Sequence, residues 1–156
     1  SNKETVMEKM KMMLVDDEER FLETTKKLLE RQGYQVATAA SGPDALDKLQ
    51  KENIHVVILD VKMPGMDGIA TLKAIKNRYP LVEVIMLTGH ATVESAVEGL
   101  KSGATDYLMK PTNMDDLVKK AEDAYAKRQV LEEKIRVAQA RMAQRSPLEI
   151  LRDAKK

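Results

Sequence analysis

Four polar positions in this chain each close an apolar run, and their side chains could do chemistry together. Asp16-Asp17-Glu18 follow Met12-Met13-Leu14-Val15, and Asp60 follows Val56-Val57-Ile58-Leu59. Thr88 follows Val84-Ile85-Met86-Leu87, and Lys110 follows Tyr107-Leu108-Met109. Brought to one place, Asp16, Asp17 and Asp60 would repel one another and raise each other's pKa. A bound divalent cation removes that conflict. Oxygen donors without His or Cys suit a hard ion, so Mg²⁺ (or Mn²⁺) is the expected cofactor. Such an ion keeps several waters and shares its coordination with a phosphoryl oxygen. The Lys110 ammonium and the Thr88 hydroxyl would complete an electrostatic clamp, with Asp60 as a carboxylate nucleophile forming an aspartyl phosphate. Each residue alone has a plainer reading. Asp16 and Asp17 would favour the positive end of a nearby helix, Thr88 would satisfy local backbone, and Lys110 would be a surface lysine. Their joint occurrence at four strand ends is what the phosphoryl reading explains.

The elements that must position these residues are legible from periodicity. Val56–Asp60 is an unbroken, mostly β-branched run bounded by Pro and Gly, as in a strand buried on both faces. Lys11–Val15, Tyr34–Ala39, Val84–Thr88 and Asp106–Lys110 read as the other strands. Between them lie helical patterns: Phe21, Thr25, Leu28 and Leu29 ending at Gly33; Ala45, Leu46 and Leu49 after Ser41; Ile69, Leu72, Ala74 and Ile75 ending at Tyr79-Pro80; and Val93, Ala96, Val97 and Leu100 after Thr92. Five strand–helix alternations with short connections predict a parallel sheet covered on both faces, with right-handed crossovers. In such a sheet Asp16, Asp17, Asp60, Thr88 and Lys110 arrive at one edge.

The 156 residues suit one compact domain with a remainder. Apolar content is 43% but aromatics only 3%, with 10 Met, so the expected core is aliphatic and Met-filled. There is no Cys, which excludes disulfides and thiolate metal sites. No apolar run could span a bilayer and no secretory pattern opens the chain, so a cytoplasmic protein is expected. From Lys127 onward nine Lys/Arg face four Asp/Glu, a net of +5, against −4 for the rest (17 against 21). That basic excess carries no interleaved aromatics, which argues for a solvated helix face over direct DNA binding.

On these residues the sequence resembles the response-regulator receiver domain of two-component signalling, from about Lys11 to Ala126. The motifs are Leu14-Val15-Asp16-Asp17-Glu18, Leu59-Asp60-Val61-Lys62-Met63-Pro64-Gly65-Met66-Asp67-Gly68, Leu87-Thr88-Gly89-His90 and Gly103-Ala104-Thr105-Asp106-Tyr107-Leu108-Met109-Lys110-Pro111. No position of the acidic pocket is substituted. The resemblance implies an α/β, flavodoxin-like doubly wound (βα)5 fold. It implies Asp60 as phosphoacceptor, Asp17 as direct metal ligand, Asp16 acting mainly through water, and the Lys62 backbone carbonyl as a further ligand. Thr88 and Lys110 resemble the phosphoryl-binding pair, Tyr107 the aromatic switch coupled to Thr88, and Lys110-Pro111 a cis peptide. Lys62, Gly89 and His90 flank the pocket mouth, where they tune phosphoryl lifetime or are plain surface residues. The partner implied is a sensor histidine kinase or phosphotransfer protein, and the response is a change in the helix carrying Val93–Leu100, the fifth strand and the last helix. A phosphoacceptor of this kind is not a turnover enzyme.

Three segments are expected: a lead-in over 1–10, the receiver over 11–126, and a coiled-coil-like helical extension over 127–156. Leu117, Ala121, Ala124, Arg128, Leu131, Ile135, Ala138 and Met142 step by four and three, a heptad seam broken by Arg128. We therefore expect a parallel homodimer; the rival is one amphipathic helix folding back over the domain. Ser146-Pro147 should break the helix. The tail resembles that of receivers of the nitrogen-regulation and dicarboxylate-transport class, where a linker precedes an ATPase domain. No such domain follows here, and a stand-alone regulator acting on a downstream protein target is expected over a fragment of a larger transcriptional regulator. Two readings from other classes remain: a phosphatase with an Asp nucleophile, which usually carries a second Asp where Lys62 stands, and a phosphorylation-independent dimeric scaffold.

Overall fold

The computed structural model describes residues 2–61, 67–89 and 92–154. Five strands, β1 (Lys11–Val15), β2 (Gln35–Ala39), β3 (Val56–Asp60), β4 (Glu83–Thr88) and β5 (Asp106–Met109), form one sheet in the order β2-β1-β3-β4-β5, all parallel. Burial separates centre from edge. Every residue of β3 and β4 is buried, whereas β2 and β5 at the edges are only partly covered. Continuous apolar runs in the middle and mixed ones outside follow from a sheet with helices on both faces.

Helix α2 (Glu19–Arg31) and the first half of α6 (Met114–Ala143) cover one face, where Leu22, Leu29, Leu117, Val118, Ala121 and Tyr125 pack on Met12, Leu14, Ile58 and Ile85. Helices α3 (Gly42–Lys51), α4 (Gly68–Arg78) and α5 (Val93–Lys101) lie on the other. There Ala45, Leu49, Leu72 and Ile75 pack on Met13, Val57, Leu59 and Val84. Local chemistry sets the helix starts: Ser41, Asp67, Thr92 and Asn113 each accept a hydrogen bond from a first-turn N–H. The backbone at Gly33 and Gly103 takes φ of 100° and 109°, where α2 and α5 end.

One segment carries structure that the sequence pattern left unassigned, and one expectation is corrected. The lead-in is a helix, α1 (Asn2–Lys9), with Val6 and Met7 packed on the core and Met10 fully buried. Its few apolar residues lie among charges, too weak a stripe to read as helix. Secondly, the proposed seam is corrected in its first half. Leu117, Ala121 and Ala124 are at most 2% exposed within a single chain, packed in the domain's own core. Arg128 is buried as well, donating from Nη1 to the Ile54 carbonyl at 3.2 Å and pairing with Glu132 at 2.6 Å. A core-facing stripe and a dimer seam share one heptad spacing, so periodicity cannot separate them. Past Arg128, Leu131, Ile135 and Met142 are 42%, 37% and 47% exposed. The break falls where expected: α6 ends at Ala143 and α7 (Pro147–Ala154) restarts with Pro at its first position.

Candidate functional site at the carboxyl edge of the sheet

The strand order reverses between β1 and β3, and a crevice at that switch point is where such sheets place ligands. Register delivers the acidic residues there. Val15 pairs with Leu59, so Asp16 and Asp60 leave adjacent strands side by side. Asp60 pairs with Leu87 and Thr88 with Met109, which brings Thr88 and Lys110 to the same rim.

Asp16 is 1% exposed and pinned. Its N–H donates to the Ala39 carbonyl at 3.1 Å, and its Oδ1 accepts from the Glu18 N–H at 2.9 Å. Asp60 is 7% exposed and Asp17 is open to solvent. One carboxylate oxygen of each of Asp16, Asp17 and Asp60 lies within 4.8 Å of the others. An all-oxygen set of that size, two members buried, fits a hard divalent cation. Lys110 partly offsets the charge: its Nζ lies 2.5 Å from Asp16 Oδ2 and 3.4 Å from Glu18 Oε1. Burial disfavours the Lys110 ammonium. Its hydrogen bond to Asp16 and the charges of Asp16, Asp60 and Glu18 outweigh burial and hold its pKa above the ordinary lysine value. The Lys110 N–H donates to the Thr88 carbonyl at 2.9 Å, and the Lys110–Pro111 peptide is cis. Thr88 itself is 1% exposed.

The remaining site residues fall in different places. Among the described residues, a Cβ at Gly89 would meet only Lys110 Cβ, at 3.9 Å. Tyr107 is half-buried on β5, packed partly against the core under α3, α4 and α5. Lys62 and His90 lie outside the described residues. Three contributors carried no site role in the sequence reading. Glu18 reaches Lys110, and the run of three acids was its signal. Phe21 lies under Lys110, with Nζ 4.4 Å from the ring centroid, and spacing gives no hint of that pairing. Gly68 starts α4 against the end of β3: a Cβ there would sit 2.3 Å from Val61 Cα and 2.5 Å from the Asp60 carbonyl oxygen.

Comparison with known proteins places this geometry. The family model of the response regulator receiver domain matches residues 12–122. The transcriptional regulatory protein ZraR of Escherichia coli K12 is 44% identical over 115 residues, covering 74% of this chain and 26% of that protein. A putative response regulator of Rickettsia bellii described as NtrX-like is 42% identical over 109 residues, 69% of this chain and 23% of that one. This chain thus spans about a quarter of the length of the curated relatives it matches. Among solved structures, a CheY-like receiver domain protein of Methanospirillum hungatei superposes with a TM-score of 0.74 at 34% identity, covering 77% of this chain and 96% of that one. NtrX of Brucella abortus gives 0.75 at 30% identity, covering 81% and 29%. No described helix is long and apolar enough to cross a membrane. With its motif residues gathered at the switch point of a five-stranded parallel sheet, this chain belongs to the response regulator receiver domain family of two-component signalling.

Proposed function

We propose that Asp60 is the phosphoacceptor and that Asp16, Asp17 and Asp60, with the Lys62 carbonyl, hold Mg²⁺ or Mn²⁺. The observation that carries this is the carboxylate trio within 4.8 Å, with the Lys110 ammonium against it. Bound there, the cation offsets the clustered negative charge and polarises phosphoryl oxygens. A carboxylate oxygen of Asp60 attacks the phosphorus of a phosphohistidine on a sensor kinase or phosphotransfer protein. The new P–O bond forms as the P–N bond breaks, and the electron pair stays on the histidine nitrogen. Lys110 then pairs with one phosphoryl oxygen and Thr88 donates its hydroxyl to another. Thr88 moves toward the phosphoryl group, Tyr107 follows inward, and the surface of α5, β5 and α6 changes. Gly89 leaves room at the pocket mouth for the attacking water that ends the signal, and Lys62 and His90 tune its access.

The exposed Leu131, Ile135, Ala138 and Met142 support a homodimer through the second half of α6, with output to a downstream protein. A second reading has its own support. Of ZraR, named a transcriptional regulatory protein, this chain spans only 26%, which favours an output carried outside these 156 residues. Adding beryllofluoride with Mg²⁺ tests the switch: amide signals of α5, β5 and the first half of α6 should shift in the wild type and stay fixed in Asp60→Asn. Unchanged wild-type spectra at saturating ligand contradict the proposal.

A further inference from the structure

Lys110 is a long, freely rotating side chain, yet its ammonium must meet a phosphoryl oxygen at one place. Three groups hold it. Asp16 Oδ2 is 2.5 Å from Nζ, Glu18 Oε1 is 3.4 Å away, and the Phe21 ring centroid is 4.4 Å away. They are not equivalent once a cation binds. Asp16 is one of the three carboxylates that could hold the metal, so its oxygen becomes a weaker partner for Lys110 when it turns to that ion. The Glu18 side chain is 67% exposed, and its attraction is screened by water and salt. Phe21 is different. It is uncharged, half-buried, and packed from α2 against the core, so its position is set by packing and not by the charges in the pocket. Its ring face attracts an ammonium, while a small, strongly hydrated divalent ion has oxygen ligands close by to prefer.

We propose that Phe21 is a positioning residue for Lys110, its ring keeping the ammonium beside the carboxylate trio when Asp16 is engaged by the cation. The inference rests on the reading of Asp60 as phosphoacceptor and names what makes the lysine ready for it. Carboxylate oxygens of Asp16 and Asp60 lie within 4.8 Å, so an ammonium held next to the first needs only a short rotation to reach a phosphoryl group on the second. Nothing covalent changes in this step. The ring narrows where Lys110 can be, which is how orientation contributes to a reaction that is mostly positioning and charge.

The test reads Lys110 itself. In ¹³C-labelled wild-type protein with saturating Mg²⁺, the Lys110 Cε–Hε signal should lie upfield of the other lysines, shifted by the ring current of Phe21. Phe21→Met keeps most of the apolar bulk without the π face, and should return the signal to the bulk lysine position; Phe21→Trp should restore the upfield shift. Phe21→Met should also weaken beryllofluoride binding about two- to fivefold, the range for one cation–π contact at a partly exposed site, with Mg²⁺ affinity unchanged. A wild-type Lys110 signal among the bulk lysines overturns the proposal, as does equal beryllofluoride affinity in Phe21→Met. The first readout needs no variant to fold. If the wild type takes no beryllofluoride, the phosphoacceptor reading fails, and the Lys110 signal still decides whether the ring holds the ammonium.

Discussion

Gly68 shows how much of the site is set by a residue that does no chemistry. Its N–H donates to the Val61 carbonyl at 2.7 Å, and its missing side chain lets α4 start against the backbone of Val61 and Asp60. Gly68→Ala would press a methyl group into backbone that cannot yield, and should cost about 1–3 kcal/mol in urea denaturation. A loss under a few tenths of a kcal/mol would show that the turn relaxes freely. At the opposite edge, His55 Nδ1 accepts from the Lys11 N–H at 3.0 Å, and its ring meets Tyr125 edge-on at 5.3 Å. Burial first, then the nearby Arg128 charge, lowers its pKa from the usual 6.5. The folded chain therefore binds fewer protons here than the unfolded chain, so this contribution to stability is full above pH 6.5 and is lost as pH falls through the lowered folded value. His55→Gln should flatten the stability profile below the usual histidine value of 6.5; an unchanged slope would assign the pH dependence to other groups. Asp16, Asp17, Asp60, Thr88 and Lys110 were legible as a set because each ends an apolar run. Glu18 was signalled only by the run of three acids and Phe21 not at all, because contacts between a helix and a strand end depend on rotamers that no spacing encodes.

Among the elements, α6 has two different halves. Its first half buries Leu117, Ala121, Ala124 and Tyr125 against β3, β4 and β5, and Arg128 ties it to the Ile54 carbonyl. Its second half exposes Leu131, Ile135 and Met142. Leu117→Ala should lower monomer stability by about 2–5 kcal/mol, as for deletion of a fully buried leucine side chain. Leu131→Ala, measured where the chain is monomeric, should change it by less than about 0.5 kcal/mol. Equal effects would mean the extension is packed on the domain. The strands and their parallel direction were readable because parallel, doubly covered strands leave unbroken apolar runs, and alternation with helices fixes their direction. The division of α6 was not, since one stripe of period 3.5 serves a sheet face as well as a partner helix. Helix α1 escaped for the opposite reason: Val6, Met7 and Met10 are too few to outweigh the charges around them.

On the scale of the whole molecule, the receiver presents a charged pocket at one edge of its sheet and a helix that extends beyond the core by about 15 residues, roughly 22 Å at 1.5 Å per residue. If two chains pair through that segment, Ile135→Asp should reduce the sedimenting species to a single chain without altering beryllofluoride binding; a dimer surviving this change would place the contact elsewhere. The pocket decides more than the tail does, because the proposed switch starts at Asp60. Acetyl phosphate with Mg²⁺, followed by borohydride trapping and peptide mapping, tests it most directly. The account predicts one metal-dependent acyl phosphate per chain, located at Asp60 and absent from Asp60→Asn. A phosphoryl group on another residue, or none in the wild type under these conditions, would contradict it.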